Sequence, residues 1–272
     1  MRVVDLSKPI RFRRTDPAFM RTTVRPKPRW LSRWLIRAAG LPFRLFPKDF
    51  EGWADDTITR MGVHATTHVD APWHYGPTCG GQPAATIDQI PLDRCLGPGV
   101  VFDMRHKPDF EPITVPDLEA SLAASSAVLS ERTIALIRTG RDRFIEEADY
   151  WKRGTGMSAA ATEWLLDRGI VLMGIDQWGW DVPLLEQVRR AKADNDREVF
   201  WAAHRVGQRR PFWHMEQLVN LGSLPLHGFT VAVFPLKLVG ASAAPARVVA
   251  FVSSTAEDEA FLETARTGTG QT

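Results

Sequence analysis

Three of the seven histidines and one carboxylate of this chain fall within eleven residues, as His64, His68, Asp70 and His74. Imidazole and carboxylate together suit zinc, manganese or iron at catalytic positions, and the absence of thiolates argues against a closed structural zinc site. The spacings of four, two and four are too irregular for one helix face, and Pro72 would break a helix that began at His64. Thr66, Thr67, Val69, Trp73 and Tyr75 favour extended backbone. In a strand or bent loop His68, Asp70 and His74 sit at even offsets and can point one way, and His64 joins them by parity. A single Asp can also bridge two ions, one on each oxygen, but two ions need more ligands than this stretch holds. His204 and Glu216, twelve apart, are available, although that pair alone is a weak signal.

At 272 residues, with 44% apolar and 24% charged side chains, the chain is long enough for a substantial core and too apolar to be disordered throughout. Cys79 and Cys95 are too few for a disulfide framework, and Cys79 reads as an inert thiol. The opening MRVVDLSKPI lacks the apolar run of a signal peptide, and no stretch is long enough to span a bilayer, so the expected compartment is the cytoplasm.

The elements that must position the ligands read as an irregular mixture of strands and helices, an α/β domain with no internal repeat. Strands are expected at residues 3–6, at 57–63 delivering the histidines, at 100–103 after the Gly97-Pro98-Gly99 turn, and at 133–137, 170–175, 230–236 and 246–252. Helices are expected over 116–124, over 159–168 behind a Ser158 cap, and from Pro183 to about Lys192. Residues 213–221 read as a further helix or turn, and 253–272 as a flexible tail beyond a single domain of residues 1–252.

Charge is unevenly placed. Residues 1–48 carry 13 Lys and Arg against two Asp, a net +11, and the remainder carries 21 against 30, a net −9. Residues 26–48 interleave this charge with Trp30, Trp34, Leu35, Phe43 and Phe46, and prolines chop the segment into short pieces. A lid or arm at the contact of a homodimer or higher homo-oligomer fits this better than a membrane or nucleic-acid tether.

With these residues in view, the stretch from His64 to Tyr75 resembles the HxGTHxDxPxHF signature of the putative cyclase family, which includes bacterial kynurenine formamidase, isatin hydrolase and polyketide cyclases. The resemblance extends to Thr86-Ile87-Asp88, Gly174-Ile175-Asp176, and His204 with Glu216 followed by Leu218-Val219-Asn220-Leu221, and leaves the basic arm outside. It implies a mixed, barrel-like sheet with flanking helices, the swivelling β/β/α fold. His64, His68 and Asp70 resemble the ligands of a first metal, and Asp70, His204 and Glu216 those of a second, the ions being zinc or manganese. His74 resembles the acid/base histidine. The implied reaction is opening of an amide, lactam or lactone of an aromatic or cyclic small molecule, the metal lowering the pKa of its water from about 15.7 to about 7. The alternative is a polyketide cyclase using the same metal for aldol-type closure. One departure stands out: Thr66 occupies the usual Gly position, and if that Gly serves a positive φ or a close backbone approach, Thr is expected to strain the site or move the substrate.

Other residues read more plainly. His106, His214 and His227 are expected in structural roles, His214 sharing the Glu216 face only if that segment is extended. Asp176 and Asp181 end a strand, where they either border a site or cap turns. Trp73, Gln177 and Trp178 are the expected substrate contacts, with Trp180 and Trp213 as further rings that could stack or simply pack.

Overall fold

The computed structural model describes residues 1–267. Strand β1 (Arg2–Asp5) is followed by the basic arm, which contains β2 (Thr23–Lys27) and helix α1 (Arg29–Ala38) and returns through β3 (Asp55–Arg60). Next come β4 (His68–Asp70), the single helical turn α2 (Pro72–Tyr75), a small β5–β6 hairpin (Thr78–Cys79, Gln82–Pro83) and β7 (Leu96–Asp103). After β8 (Pro112–Ile113) and α3 (Val115–Ser125), the order is β9 (Ile134–Arg138), β10 (Gly156–Met157), α4 (Ala159–Asp167) and β11 (Leu172–Ile175). The chain closes with α5 (Leu184–Ala193), β12 (Trp213–Glu216), β13 (Phe229–Pro235), β14 (Ala243–Val252) and α6 (Ala256–Thr267).

Seven strands close into a barrel in the order β14-β13-β7-β9-β11-β12-β4, with β4 returning to β14 and β1 paired on the far end of β14. The β7-β9-β11-β12 run is parallel and the remaining pairings are antiparallel. Pleating sorts the side chains. Val101, Ile134, Leu136 and Leu172 pack together in the barrel with Val69, Met215 and Val231. Their neighbours Val100, Phe102, Ala135, Ile137 and Met173 form a second cluster with Leu118 of α3 and Ala161 and Leu165 of α4. Because β9 is buried on both faces, it can be the continuous apolar run Ile-Ala-Leu-Ile. Ser158 accepts the Ala161 N–H at 3.1 Å as the expected cap of α4, and Thr114 with Asp117 forms a capping box on α3.

Four expectations are corrected here. The strand expected at 57–63 forms as β3 over Asp55–Arg60 and does not deliver the histidines: it pairs with β2 of the arm in an exposed ribbon, and residues 61–67 lead to β4 as irregular chain. Gly97-Pro98-Gly99 lies inside β7, not before it, because a Cβ at Gly99 would sit 2.0 Å from the Phe229 ring of the neighbouring strand. Residues 213–216 are the strand β12, since parallel pairing to β11 and antiparallel pairing to β4 outweigh local spacing. The expected tail contains α6, held by an acidic first turn, a buried Leu262 and an ion pair of 2.7 Å from the N-terminal amine to Asp258. The rest of that tail, residues 268–272, lies outside the described residues.

Candidate active site

The site is built on the antiparallel pair β4–β12. The register sets Asp70 opposite His214 and His68 opposite Glu216, with Val69 and Met215 between them. Val69 and Met215 point into the barrel core, so the other four side chains share the outer face. Two further imidazoles come from irregular backbone: His64 from the approach to β4, and His204 from a 3₁₀ turn over residues 204–208. His74 stands on α2, with Pro72 at its first position, where a missing N–H costs nothing.

Distances are short. His64 Nδ1 lies 2.8 Å and His68 Nε2 3.2 Å from Asp70 Oδ1, and His74 Nε2 is 3.8 Å from Asp70 Oδ2. His204 Nε2 is 3.8 Å from Glu216 Oε1, and His68 Nε2 is 3.9 Å from Glu216 Oε2. Gly179 donates its N–H to Glu216 Oε2 at 2.8 Å. Asp70 and His68 are essentially inaccessible to solvent, yet both Asp70 oxygens and His68 Nε2 have no hydrogen-bond partner. Such orphaned buried groups are costly unless something charged completes them.

The outward nitrogens explain the arrangement. His68 Nδ1 donates to the Thr66 carbonyl at 2.7 Å, and His204 Nδ1 donates to Asp181 Oδ2 at 2.5 Å. Those tautomers leave each Nε2 lone pair directed at the carboxylates, the pattern of metal-ligating histidines with fixed outer partners. The donor set therefore fits a divalent cation. Two groups of potential ligands overlap at Asp70: the buried set Asp70, His204, His214 and Glu216, and the more open set His64, Asp70 and His74.

Electrostatics agree. Burial would raise Asp70, but the imidazoles of His68, His74, His64 and His214 prevail and hold it well below the usual carboxylate range. Glu216 is likewise lowered against its burial, chiefly by the hydrogen bond from His214. Burial would lower His68, yet Asp70 and Glu216 pull it up to about 9, so with no ion present the carboxylates capture a proton as their countercharge. His74 goes the other way, down to about 4, through burial and the neighbouring His64 and His204, so it is an unprotonated acceptor at neutral pH.

The site opens into a cavity of about 440 Å³ whose walls include Phe19, Trp178, Leu184, Phe200 and Trp201. Trp201 stacks on His204 with centroids 4.7 Å apart, and Trp178 lies 6.1 Å from Phe19. Trp201 takes φ 58°, an uncommon conformation for a bulky residue, and its N–H donates to Gln187 Oε1 at 2.7 Å.

A family model described as Putative cyclase matches residues 4–182, about two thirds of the chain. The chain belongs to the cyclase family. Within it, a kynurenine formamidase of Paracidovorax citrulli is 32% identical over 70% of this chain and 76% of that protein. An isatin hydrolase of Roseibium aggregatum is 26% identical over 71% of this chain and 73% of the relative. Isatin hydrolase A of Ralstonia solanacearum shares the fold with a TM-score of 0.68 at 22% identity, over 93% of this chain and 92% of the other.

In this cyclase-family chain the structure brings His64, His68, Asp70, His74, His204 and Glu216 into one cluster, and Trp178 to its cavity. It does not bring the other expected contacts there. Gln177 is buried and donates to the carbonyls of Thr155 and Gly179, and Trp73 is absent from the lining. Asp176 accepts from the backbone N–H groups of Thr139 and Gly140 and so secures a turn. Thr66 does not take a positive φ. Phe19, Phe200 and Trp201, which carry no motif, also line the cavity, and the strand β12 sets His214 beside Asp70 and Glu216, where a helix or turn over 213–221 would not predict it.

Proposed function

We propose that this protein is a metal-dependent hydrolase that opens an amide, lactam or lactone of an aromatic or cyclic small molecule. The observation that carries this reading is a set of solvent-excluded carboxylate and imidazole atoms without partners at the floor of an aromatic-walled cavity. His64, His68, Asp70, His204 and Glu216 would hold one or two divalent ions, zinc or manganese. Such an ion, when bound, polarises a carbonyl and lowers the pKa of water.

The chain's own residues supply the rest. Trp178 and Trp201 line the cavity with aromatic surface against which a flat ring can pack with its carbonyl toward the floor. His74, unprotonated and half-buried at the cavity edge, accepts the proton of the attacking water and returns it to the leaving group. Glu216 is held by the Gly179 N–H and cannot swing toward the substrate. A cavity of about 440 Å³ suits a one- or two-ring substrate better than a folded polyketide chain, which places aldol cyclisation second.

We extend this proposal to a cytoplasmic homo-oligomer joined through the basic arm. No helix among the described residues is long and apolar enough to cross a membrane. Trp30, Trp34 and Leu35 of α1 are each more than half exposed on a strongly basic arm, a surface suited to the acidic body of a second copy. Deleting residues 26–48 should dissociate the oligomer without loss of metal.

The deciding experiment is a screen of aromatic formamides, bicyclic lactams, lactones and polyketide mimics on zinc- or manganese-loaded protein. Turnover of a ring amide, abolished by chelation and by Asp70→Ala, is expected. Loaded protein that closes polyketide mimics and leaves every ring amide intact would reverse the order of the two readings.

A further inference from the structure

His214 belongs to neither ligand set that the family resemblance implies, yet it stands at the centre of the cluster. Its Nε2 lies 3.0 Å from Glu216 Oε1 and 3.3 Å from Asp70 Oδ2, and its side chain is fully buried. From this geometry we infer that His214 is itself a metal ligand, and that Asp70, His204, His214 and Glu216 form a closed four-donor site behind the more open group of His64, His68 and Asp70, which His74 flanks. The inference rests on the reading above that the cluster holds a divalent ion.

Spacing is the first argument. One ligand atom from each of the four residues can be chosen so that all lie within 4.8 Å of one another. Donors on a tetrahedral ion at bond lengths of about 2.0–2.1 Å stand about 3.4 Å apart. The separations of 3.0, 3.3 and 3.8 Å bracket that value.

The second argument is the far side of the ring. His214 Nδ1 lies 2.8 Å from the hydroxyl of Tyr75, a fully buried side chain stacked on Phe212 with centroids 4.7 Å apart. With His214 Nδ1–H donating to the Tyr75 oxygen, Tyr75 occupies for His214 the place that Asp181 occupies for His204, an outer partner that fixes the ring and leaves Nε2 to face the ion.

Hydrogen-bond accounting is the third. If His214 were only a packing residue, its Nε2–H would serve Glu216, and the buried Asp70 Oδ2, 3.3 Å away, would receive nothing from it. A cation within reach of all four groups satisfies Asp70, Glu216 and both imidazoles together. Packing alone between Tyr75 and Trp180 asks only for an apolar side chain of similar size.

A site with four protein donors has no place for water, whereas catalytic sites keep a position open. A tetrahedral inner ion such as zinc would therefore anchor Asp70 and Glu216, and the substrate would meet an ion at the outer group, which reaches the cavity through His64 and Asp70 with His74 beside them.

The test reads the ligand directly. In cadmium-loaded wild-type protein carrying isotopically labelled histidine, the Nε2 resonances of both His204 and His214 should show scalar coupling to the metal. In addition, His214→Gln should weaken the tighter zinc site by more than about 100-fold, beyond the 10–100-fold that loss of an outer partner costs. Tyr75→Phe should stay inside that range. Coupling at His204 without coupling at His214, or a folded His214→Gln protein that keeps wild-type zinc affinity, overturns the inference and leaves the hydrolase reading standing. Wild-type protein that takes up no cadmium or zinc would remove both. If His214→Gln fails to fold, the wild-type coupling pattern decides alone.

Discussion

Replacing Asp181 by Asn tests the site through a residue that faces away from the ion. Both Asp181 oxygens are occupied: Oδ1 accepts the Ala203 N–H at 2.8 Å, and Oδ2 accepts the His204 N–H at 3.1 Å and Nδ1–H at 2.5 Å. Asn has nearly the same shape, so packing is preserved and only the donor–acceptor pattern changes. With its oxygen toward His204, two bonds survive and the new NH₂ opposes the Ala203 N–H. That unpaired backbone donor costs about 1–3 kcal/mol of stability. The flipped amide is worse, because it opposes the His204 N–H and forces the proton onto Nε2. The first orientation should therefore prevail, keeping the tautomer but replacing a charge-assisted hydrogen bond by one about half as strong. Metal affinity should fall at the lower end of the outer-partner range, about 10-fold or about 1.4 kcal/mol. Competition against a chromophoric chelator measures it, with circular dichroism to verify folding. A folded Asp181→Asn protein with unchanged metal affinity would refute both the ligand role of His204 and the orienting role of Asp181.

Other expectations follow from the same geometry. Trp201→Ala should raise KM for a ring substrate about 2–10-fold, equivalent to about 0.5–1.5 kcal/mol of lost aromatic contact, and steady-state kinetics would expose an unaffected KM. Lys8 is lowered to about 8, chiefly by burial and then by Arg13, although its Nζ donates to Gln217 Oε1. Because its folded pKa lies below the unfolded 10.5, the cost of burying its charge is full below about pH 8 and vanishes as pH approaches 10.5. The stability advantage of Lys8→Met should therefore shrink by up to about 3 kcal/mol across that window, and denaturant midpoints that move in parallel would contradict it. Ser158→Ala should cost about 1 kcal/mol through the lost cap of α4, lowering the melting temperature without altering metal content.

The legible parts of this protein were the local ones. His68 and Asp70 sit two apart around an apolar Val69, a period-two pattern that survives in β4. Ser158 and the run Ile134 to Ile137 carry their meaning within a few residues. His214 does not, because Trp-His-Met-Glu is too short to distinguish strand from helix by periodicity, and its place in the site depends on the β4–β12 register. The 55–60 strand was visible, but its partner was not. The barrel's closure, the outer partners Asp181 and Tyr75, and the Trp201 wall all arise from contacts between distant segments, which one sequence does not display.

Strand β4 is three residues long and is hydrogen-bonded to β12 on one side and to β14 on the other. It is therefore the clasp of the ring as well as the carrier of His68 and Asp70. Opening the clasp on the β12 side pulls Asp70 away from His214 and Glu216, so an ion held between the two strands must dissociate before the barrel can part there. Occupancy and closure are then a single equilibrium seen from two ends. An ion at a hundred times its dissociation constant would stabilise the closed ring by about 2.7 kcal/mol. Amide protons of Asp70 and His214, which face each other across this seam, should exchange about a hundred-fold more slowly in its presence, where exchange proceeds through that opening. Chelation would then loosen the barrel at one seam and leave the β7-β9-β11 wall closed.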